Sequence, residues 1–421
     1  MRIALVSPPA ELLTARERGF AGDLRSLAAG LAGREHEVVI YTRREDSARP
    51  ERERLSSGVV IRQIDAGPVG PVPESQVSPL LGSFGQALAA AWREDLPDVI
   101  HAYSWGGGLA AAAARRQLRE TALIGGGPSE APVPLVQTFG AFGAEQRRGA
   151  GPVSPGLANR IQLEVALARS SDAIVARSDD EIEELTRMGA PRDRVRMIPA
   201  GVDTARFEPS GPVDPRPSVA RVLVVGEISP LSGIETMIAA LRGLPEVELV
   251  VLAGPGDIDE VERLRKGAAH LGVVDRTDFR DATEYDDAVP EARPRLLRSA
   301  DAAVCVPWRG PGSAAAVLEA MACGVPVVVT AVGPATDVVV DGVTGLHVAP
   351  RRPDQLADAV RSLLGDPVRH LGFGVAGADR VRSRYEWTRV AADTERVYAG
   401  LLPVPVLVDE EVPDEVDVTT D

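Results

Sequence analysis

The sequence predicts an α/β protein made of two Rossmann-like, doubly wound domains that face each other across a cleft. The first observation is an opening βαβ pattern, in which the apolar runs MRIALVS and EVVIYTR flank a helical pattern with one apolar face, formed by Leu24, Leu27, Ala28 and Leu31. The second is a proline-rich break at residues 210–219, after which the run RVLVVGEIS restarts the pattern. The third is the length of 421 residues, which suits two domains rather than one core.

These patterns divide the chain into five segments. The predicted limits are a first domain at 1–209, a linker at 210–219, a second domain at 220–383, a helix at 384–402 and a tail at 403–421. Within the first domain, residues 67–79 are expected to form a loop because they are rich in Gly, Pro and Ser. The tail carries seven acids and no base, so we expect a solvated, disordered segment rather than a binding arm.

The composition narrows the range of partners. The net charge of −15 argues against nucleic acid or an anionic membrane surface as a partner, because either would require a basic stripe. The chain starts directly on a strand pattern and has no apolar stretch of about 18 residues or more. We therefore expect a cytoplasmic protein without a transmembrane segment.

Cysteine, histidine and lysine are all scarce. Cys305 and Cys323 lie in or beside apolar runs, and we interpret them as small buried hydrophobic residues rather than as a disulfide or a metal pair. With only five histidines, no metal site is expected. Lys266 is the only lysine among 46 basic residues, so a bound phosphate must be met by backbone N–H groups, helix dipoles or arginines.

The most informative stretch runs from Gly310 to Val348. It places a glycine-rich turn before a helix that carries Glu319, and the strand VPVVVT follows. Free N–H groups at such a helix start form an anion site, and a carboxylate two turns into the helix can reach sugar hydroxyls beside that anion. The pattern predicts a site for a nucleotide diphosphate; the alternative is that Glu319 is an acid on the helix surface.

Within this stretch, LEAMACGVPVV at residues 318–328 resembles the donor signature of the family 4 glycosyltransferases of the GT-B fold, E-P-F-G-x-x-x-L-E-A-M-A-x-G-x-P-V-V. Other segments resemble the family's sucrose-phosphate-synthase and mycothiol-glycosyltransferase branch: REHEVVIYTR, DVIHAYSW, VPLVQTFGAFG and RVRMIPAGVDTARFEP. The resemblance covers nearly the whole chain. It implies an acceptor domain first, a nucleotide-sugar donor domain second, and a last helix near Trp387 to Leu401 that crosses back to the first domain.

The resemblance also implies a set of site residues. On the donor side it points to Gly226, Glu227, Ser232, Arg309, Gly312, Ser313, Ala314 and Glu319. On the acceptor side and in the cleft it points to Gly19, Gly140, Arg160 and Asp203. The candidate catalytic residues are His101 and Glu319. The alternative for His101 is a hydrogen-bonded imidazole at a strand end, and the alternative for Asp203 is a residue that shapes a turn.

The chain departs from the family pattern at four positions. Pro311 replaces the first glutamate of the donor signature, and Gly140 replaces a histidine that would face the transferred sugar. In the turn GEISPLSG, Glu227 and Ser232 stand where the family has an Arg and a Lys for the donor diphosphate. Losing two charge-assisted hydrogen bonds costs about 3–6 kcal/mol, or on the order of 10²–10⁴ in affinity. Arg309 is the candidate that compensates, and its alternative is a solvated loop arginine.

Two functions stay open on this basis. The first is a retaining glycosyltransferase that moves a hexose from a UDP- or GDP-type sugar to a small or lipid-linked acceptor. By resemblance, the donor's phosphate would take the acceptor proton, with no cofactor, metal or protein nucleophile. The second is a catalytically impaired pseudoenzyme that serves as a binding or regulatory subunit of a protein partner.

Overall fold

A computed structural model describes residues 1–7, 20–70, 72, 74–124, 133–140, 142–149, 155–216, 218–226, 228–254, 257–285, 291–309 and 314–403. In these residues the chain forms two sheets, each surrounded by helices. The strands of the first sheet are β1 (Arg2–Val6), β2 (Glu37–Arg43), β3 (Arg52–Arg54), β4 (Val60–Ile64), β5 (Val99–Tyr103), β6 (Leu135–Thr138), β7 (Ala173–Ala176) and β8 (Val195–Met197). The strands of the second are β9 (Ala220–Val224), β10 (Val247–Ala253), β11 (Thr277–Asp281), β12 (Ala302–Cys305), β13 (Val327–Thr330) and β14 (Gly345–Val348).

Helices alternate with the strands in both halves. The helices of the first half are α1 (Phe20–Ala32), α2 (Glu74–Val77), α3 (Leu81–Glu94), α4 (Ser104–Ile124), α5 (Gly143–Gly149), α6 (Pro155–Ser170) and α7 (Asp179–Met188). Those of the second are α8 (Ile234–Ala240), α9 (Ile258–His270), α10 (Ala292–Arg298), α11 (Ala315–Ala322), α12 (Ala335–Val338), α13 (Pro353–Leu364), α14 (Pro367–Arg384) and α15 (Trp387–Ala399).

Both sheets are doubly wound, as the repeated βα pattern predicts. The first has the order β3-β4-β2-β1-β5-β6-β7-β8, and the second has the order β11-β10-β9-β12-β13-β14. Every pairing between named strands is parallel except that of the short edge strand β3 with β4. The order reverses direction at β1 and β5 in the first sheet and at β9 and β12 in the second. Open α/β sheets bind ligands beyond the carboxyl ends of strands at such points.

The apolar face predicted for the first helix is confirmed. Leu24, Leu27, Ala28 and Leu31 of α1 are all at most 3% exposed, and they pack with the central strands of the first sheet. Helix α7 shows a complete set of end signals. The Ser178 side chain accepts a hydrogen bond from the Glu181 amide at its start, and Gly189 adopts a left-handed conformation at its end.

The prediction of a loop at residues 67–79 was wrong in part. Helix α2 and a 3-10 turn at Ser78–Leu80 lie within it. Pro79 is compatible with the 3-10 turn because it stands at its start, where the missing N–H of proline costs no hydrogen bond. Val77 packs against the apolar cluster beneath α3 and α4, and this tertiary contact outweighs the loop-like composition.

The last helix returns to the first half, as the family resemblance implies. Helix α15 packs along α1, and Val390, Ala391 and Tyr398 join the core of the first sheet. The approach is close, because a Cβ atom at Gly30 would lie 2.9 Å from Cβ of Ala391. The exact domain limits, 1–209 and 220–383 among them, stay predictions, and the tail from 404 onwards lies outside the described residues.

Direct contacts join the two halves. The backbone N–H of Asp179, at the start of α7, donates a 3.0 Å hydrogen bond to Oδ2 of Asp337 in α12. The N–H of Val202 donates to the carbonyl of Tyr385, just before α15.

Both cysteines are free thiols, Cys323 buried and Cys305 partly buried, as predicted.

Candidate functional site

The switch point of the second sheet collects the predicted donor residues. Gly226 follows β9 with φ of 119°, Arg309 follows β12, and Ala314 is the N-cap of α11. The turn that contains Ser232 lies beside them, since the N–H of Trp308 bonds the carbonyl of Leu231. Three further predicted donor residues lie outside the described residues: Glu227, Gly312 and Ser313.

The turn before α8 is fixed by local hydrogen bonds. The hydroxyl and the N–H of Ser232 both donate to the carbonyl of Ser229, at 2.7 and 3.0 Å. Gly233 then adopts φ of 70°, and a Cβ atom there would lie 1.9 Å from the carbonyl oxygen of Val306. The hydroxyl of Ser232 is therefore used by the turn itself, and this side chain brings no positive charge to the site.

Glu319 is held by an arginine from a neighbouring helix. Its Oε2 accepts a 2.5 Å hydrogen bond from Nε of Arg293 in α10. Both side chains are largely buried, Glu319 being 15% and Arg293 10% exposed. Glu319 is thus a fixed carboxylate rather than a solvated acid on the helix surface.

Two arginines lie near the chain that follows β12. The guanidinium of Arg351 stacks 4.2 Å from the ring centroid of Trp308, which itself donates from its indole N–H to Thr236. Arg309 is exposed, and within the described part of the chain it has no ion pair or hydrogen bond. Among the described residues, Arg309 is therefore a cation at this end of the site that no carboxylate neutralises.

The first half contributes a pair of charged side chains, Asp23 of α1 and Arg177, which follows β7. Oδ2 of Asp23 lies 3.6 Å from Nη1 of Arg177. Arg177 is bound more tightly by other groups, since it donates from Nε to Glu181 at 3.1 Å and from Nη2 to the carbonyl of Gly140 at 2.9 Å. Gly140 has φ of 80°, a left-handed backbone that disfavours a side chain. Gly19 lies outside the described residues.

Charges from both halves act on Asp23. Burial raises the pKa of Asp23 to about 6, Arg177 counteracts the rise, and the carboxylate of Glu319 adds to it. Asp23 lies near the contact between the halves, because its ion-pair partner Arg177 is two residues before Asp179, whose N–H bonds Asp337 of α12. The structure therefore places this largely buried carboxylate close to the contact between the two halves.

His101 does not reach a substrate surface. Its side chain is 1% exposed, and its ring nitrogens are bonded to Tyr398 at 2.7 Å and to Thr138 at 2.8 Å. Burial lowers the pKa of His101 to about 3, so the ring stays neutral at physiological pH. A catalytic histidine needs a ring nitrogen within reach of the reacting groups. Both ring nitrogens of His101 are hydrogen-bonded inside the core, so the structure agrees with the alternative interpretation of His101 as a hydrogen-bonded imidazole at a strand end.

Arg160 is engaged within the first half. Its Nε donates a 2.7 Å hydrogen bond to Glu164, and its guanidinium lies over the ring of Trp105. Glu164 also accepts from the N–H of Gly143, and burial raises the pKa of Glu164. These bonds fix the start of α5 against α6, which is a structural use of Arg160.

Asp203 shapes a turn, which matches the alternative given for it. Its Oδ1 accepts hydrogen bonds from the N–H groups of Ala205 and Arg206, at 3.0 and 3.1 Å. Gly201, two residues earlier, lies against the ring of Trp387, where a Cβ atom would come within 2.6 Å. This turn therefore seats the start of α15.

Sequence reasoning missed Arg293, Asp23 and Arg177. A signal existed for Asp23, which is an acid beside the apolar face of α1. Arg293 opens the predicted helix RPRLLRSA, but nothing in the local pattern pairs it with an acid 26 residues later.

In the part of the chain that the structure describes, no group of three or more metal-ligating side chains occurs. A search of the same residues finds no helix that meets the length and apolarity needed to span a membrane.

Comparison with known proteins decides the family. Residues 18–201 match the family model of the glycosyl transferase 4-like domain, and residues 214–378 match that of glycosyl transferases group 1. A D-inositol 3-phosphate glycosyltransferase from Xylanimonas cellulosilytica is 32% identical, over 94% of this chain and 96% of its own. The chain is a family 4 glycosyltransferase of the GT-B fold.

Solved structures agree with this assignment. Sucrose-phosphate synthase from Thermosynechococcus elongatus has a TM-score of 0.79 and 25% identity, over 95% of this chain and 98% of its own. HepE from Anabaena, solved in complex with UDP and glucose, shares the fold, with a TM-score of 0.69 and 18% identity over 95% of this chain and 100% of its own. This glycosyltransferase is an enzyme, and its similarity to named transferases over nearly its full length does not favour the pseudoenzyme alternative.

Proposed function

We propose that this glycosyltransferase transfers a hexose, with retention of anomeric configuration, from a nucleoside diphosphate sugar to a small polyol acceptor. The observation that carries the proposal is the Arg293–Glu319 pair at the switch point of the second sheet. A carboxylate fixed just over one turn into α11 would accept hydrogen bonds from a ribose, while the start of that helix would bind the diphosphate.

The diphosphate needs a cation that the turn before α8 does not provide. Ser232 is neutral and bonded within its turn, whereas Arg309 has no partner among the described residues and lies in the next loop along the sheet edge. One charge-assisted hydrogen bond from Arg309 would contribute about 1.5–3 kcal/mol. Arg309 would therefore offset roughly half of what the two missing family cations supply.

The acceptor side favours a small hydroxylated molecule. The relative from Xylanimonas is named for an inositol phosphate, and HepE is named as a complex with UDP and glucose. In this chain the charge of Arg160 is balanced by Glu164, so this arginine brings no net positive charge toward an acceptor phosphate. An unphosphorylated polyol is the better match for the groups present.

Turnover with defined substrates tests the proposal. The protein is incubated with UDP-glucose, UDP-N-acetylglucosamine or GDP-mannose, each with myo-inositol, with D-inositol 3-phosphate and with a lipid-linked sugar, and products are identified by mass spectrometry and NMR. The proposal expects a glycosylated polyol whose anomeric proton shows the α configuration of the donor. A β-configured product would refute retention, and transfer only to lipid-linked acceptors would refute the small acceptor.

A further inference from the structure

We propose that Asp23, at the boundary between the two halves, binds a hydroxyl group of the substrate during transfer. The hydroxyl belongs either to the donor's sugar or to the polyol acceptor. This inference rests on the proposed function, because it requires a hydroxyl-bearing substrate at that boundary.

Asp23 has acceptor capacity that the described chain does not use. Its Oδ2 is buried and makes no hydrogen bond within the described residues. The contact with Arg177, at 3.6 Å, is an ion pair rather than a hydrogen bond. Because a buried polar atom without a hydrogen-bond partner costs free energy, this oxygen is ready to accept a hydrogen bond from a ligand.

Arg177 does not depend on Asp23 for its position. It is fixed by Glu181, which accepts both from its Nε and from its backbone N–H, and by the carbonyl of Gly140. Arg177 therefore provides a fixed positive charge beside Asp23, and Oδ2 of Asp23 has no hydrogen-bond donor among the described residues. A residue needed only to anchor Arg177 would duplicate what Glu181 already does.

The surroundings of Asp23 select the chemistry of the ligand. The charged and titratable groups that act on it come from three elements: Arg177 after β7, Tyr103 at the end of β5 and Glu319 in α11. The ionised Asp23 repels an anion such as a phosphate, whereas its unused Oδ2 can accept a hydrogen bond from a hydroxyl group. A sugar or polyol hydroxyl thus suits this place, and a phosphate does not.

The position of Asp23 also suits a substrate bound between the halves. Its ion-pair partner Arg177 lies two residues before Asp179, whose N–H donates a hydrogen bond to Asp337 of the second half. Burial at this boundary raises the pKa of Asp23 to about 6, so the carboxylate is ionised, at a cost in folding free energy, at neutral pH. Groups kept at such a cost are typical of functional sites.

The experiment compares ligands with and without a sugar. UDP and UDP-glucose, and in parallel GDP and GDP-mannose, are titrated into the native protein and into Asp23→Asn, and the KM for myo-inositol is measured for both. If the hydroxyl is the donor's, the variant binds the nucleotide sugar about 10- to 100-fold more weakly and binds the nucleotide unchanged. If the hydroxyl is the acceptor's, both nucleotide ligands bind unchanged and the KM for myo-inositol rises by a similar factor.

Two controls separate binding from positioning. The variant Glu181→Gln removes the carboxylate that fixes Arg177, and the same selective loss in this variant would mean that Asp23 acts only by ordering Arg177, which overturns the inference. The second control is pH. In the native protein, as Asp23 ionises between pH 5 and pH 7, either the nucleotide sugar must bind increasingly more tightly than the nucleotide alone, or the KM for myo-inositol must fall. In Asp23→Asn this pH dependence must disappear.

The remaining outcomes are distinguishable. Native protein that binds UDP or GDP, with no selective effect of Asp23→Asn on nucleotide sugar or acceptor, overturns the inference and leaves the proposed function in place. Equal weakening of UDP and UDP-glucose also overturns it, because the effect would not depend on the sugar. Native protein that binds no nucleotide overturns the proposed function, and the inference falls with it.

Discussion

The side chains of His101 and Tyr398 lie 297 residues apart in the chain and are joined by a 2.7 Å hydrogen bond. His101 stands in the central strand β5, and Tyr398 stands near the end of α15. Neither is exposed by more than 1%, so the bond lies in the core of the first half. It holds the returning helix against the first sheet, which makes His101 a structural residue of this half.

We expect Tyr398→Phe to destabilise the protein by about 1–3 kcal/mol, because Nδ1 of His101 would lose its partner in the core. The melting temperature measured by calorimetry reports the change. The matched control is Tyr385→Phe, whose hydroxyl makes only long contacts, at 3.4 and 3.5 Å. Equal losses in the two variants would contradict the importance given to the His101 bond.

The buried imidazole also predicts acid sensitivity. The pKa of His101 is lowered from 6.5 to about 3, so the unfolded chain binds the proton more readily than the folded one. The stability contribution is complete above pH 6.5 and is lost as the pH falls, by about 2 kcal/mol between pH 7 and pH 5. Denaturation at several pH values should show a flatter dependence in His101→Gln, and an unchanged slope in that variant would refute this assignment.

Much of the fold could be predicted from the sequence because βα repetition and apolar faces are local patterns. The face of α1 and the restart at β9 are examples, and each depends on residues within one or two elements. The His101–Tyr398 bond and the Arg293–Glu319 pair depend instead on how distant elements pack. No local pattern encodes such a contact, which is why His101 was a catalytic candidate in the sequence and is a core residue in the structure.

The contacts of the predicted site residues were equally hard to predict from local sequence patterns. The signature identified Glu319 and its helix, but the sequence did not show that Arg293 would neutralise the acid. Asp23 and Arg177 were missed for the same reason, since they come from α1 and the end of β7 and meet only because those elements are neighbours in the fold. The turn-shaping role of Asp203 was easier to predict, because both of its hydrogen-bond partners lie within three residues of it.

The Arg293–Glu319 pair should be strongly coupled. Removing either partner leaves a largely buried charge unpaired, so we expect Arg293→Met and Glu319→Gln each to cost about 2–4 kcal/mol. The double variant should cost less than the sum, by about 1–3 kcal/mol. Chemical denaturation of the four proteins gives this coupling. The exposed pair of Arg187 with Glu183 is the comparison, with an expected coupling below about 0.5 kcal/mol.

Asp23→Asn should stabilise the protein at neutral pH. The pKa of Asp23 is raised from 3.8 to about 6, so keeping this carboxylate ionised costs stability above that range. The cost develops as the pH rises from 3.8 to 6 and is then constant, so the variant should gain about 1–3 kcal/mol at pH 7.5 and almost nothing at pH 4. Melting curves at both pH values test this, and a destabilised variant at pH 7.5 would show that Asp23 serves the fold.

The central claim is that this glycosyltransferase holds a nucleoside diphosphate with Arg309 in place of the family's turn cations. Glu227→Arg combined with Ser232→Lys restores those cations at the turn before α8. The gain should be about 2–4 kcal/mol in binding, after the loss of the Ser232 hydrogen bond within the turn.

Calorimetric titration of UDP and GDP tests this claim most directly. We expect the native protein to bind one of the two nucleotides, Arg309→Ala to weaken that binding about 10- to 100-fold, and the double variant at Glu227 and Ser232 to tighten it. Arg351→Ala, which removes an arginine stacked on Trp308, is the matched control and should change the affinity less than Arg309→Ala. No binding of either nucleotide by the native protein or by the double variant would contradict the account.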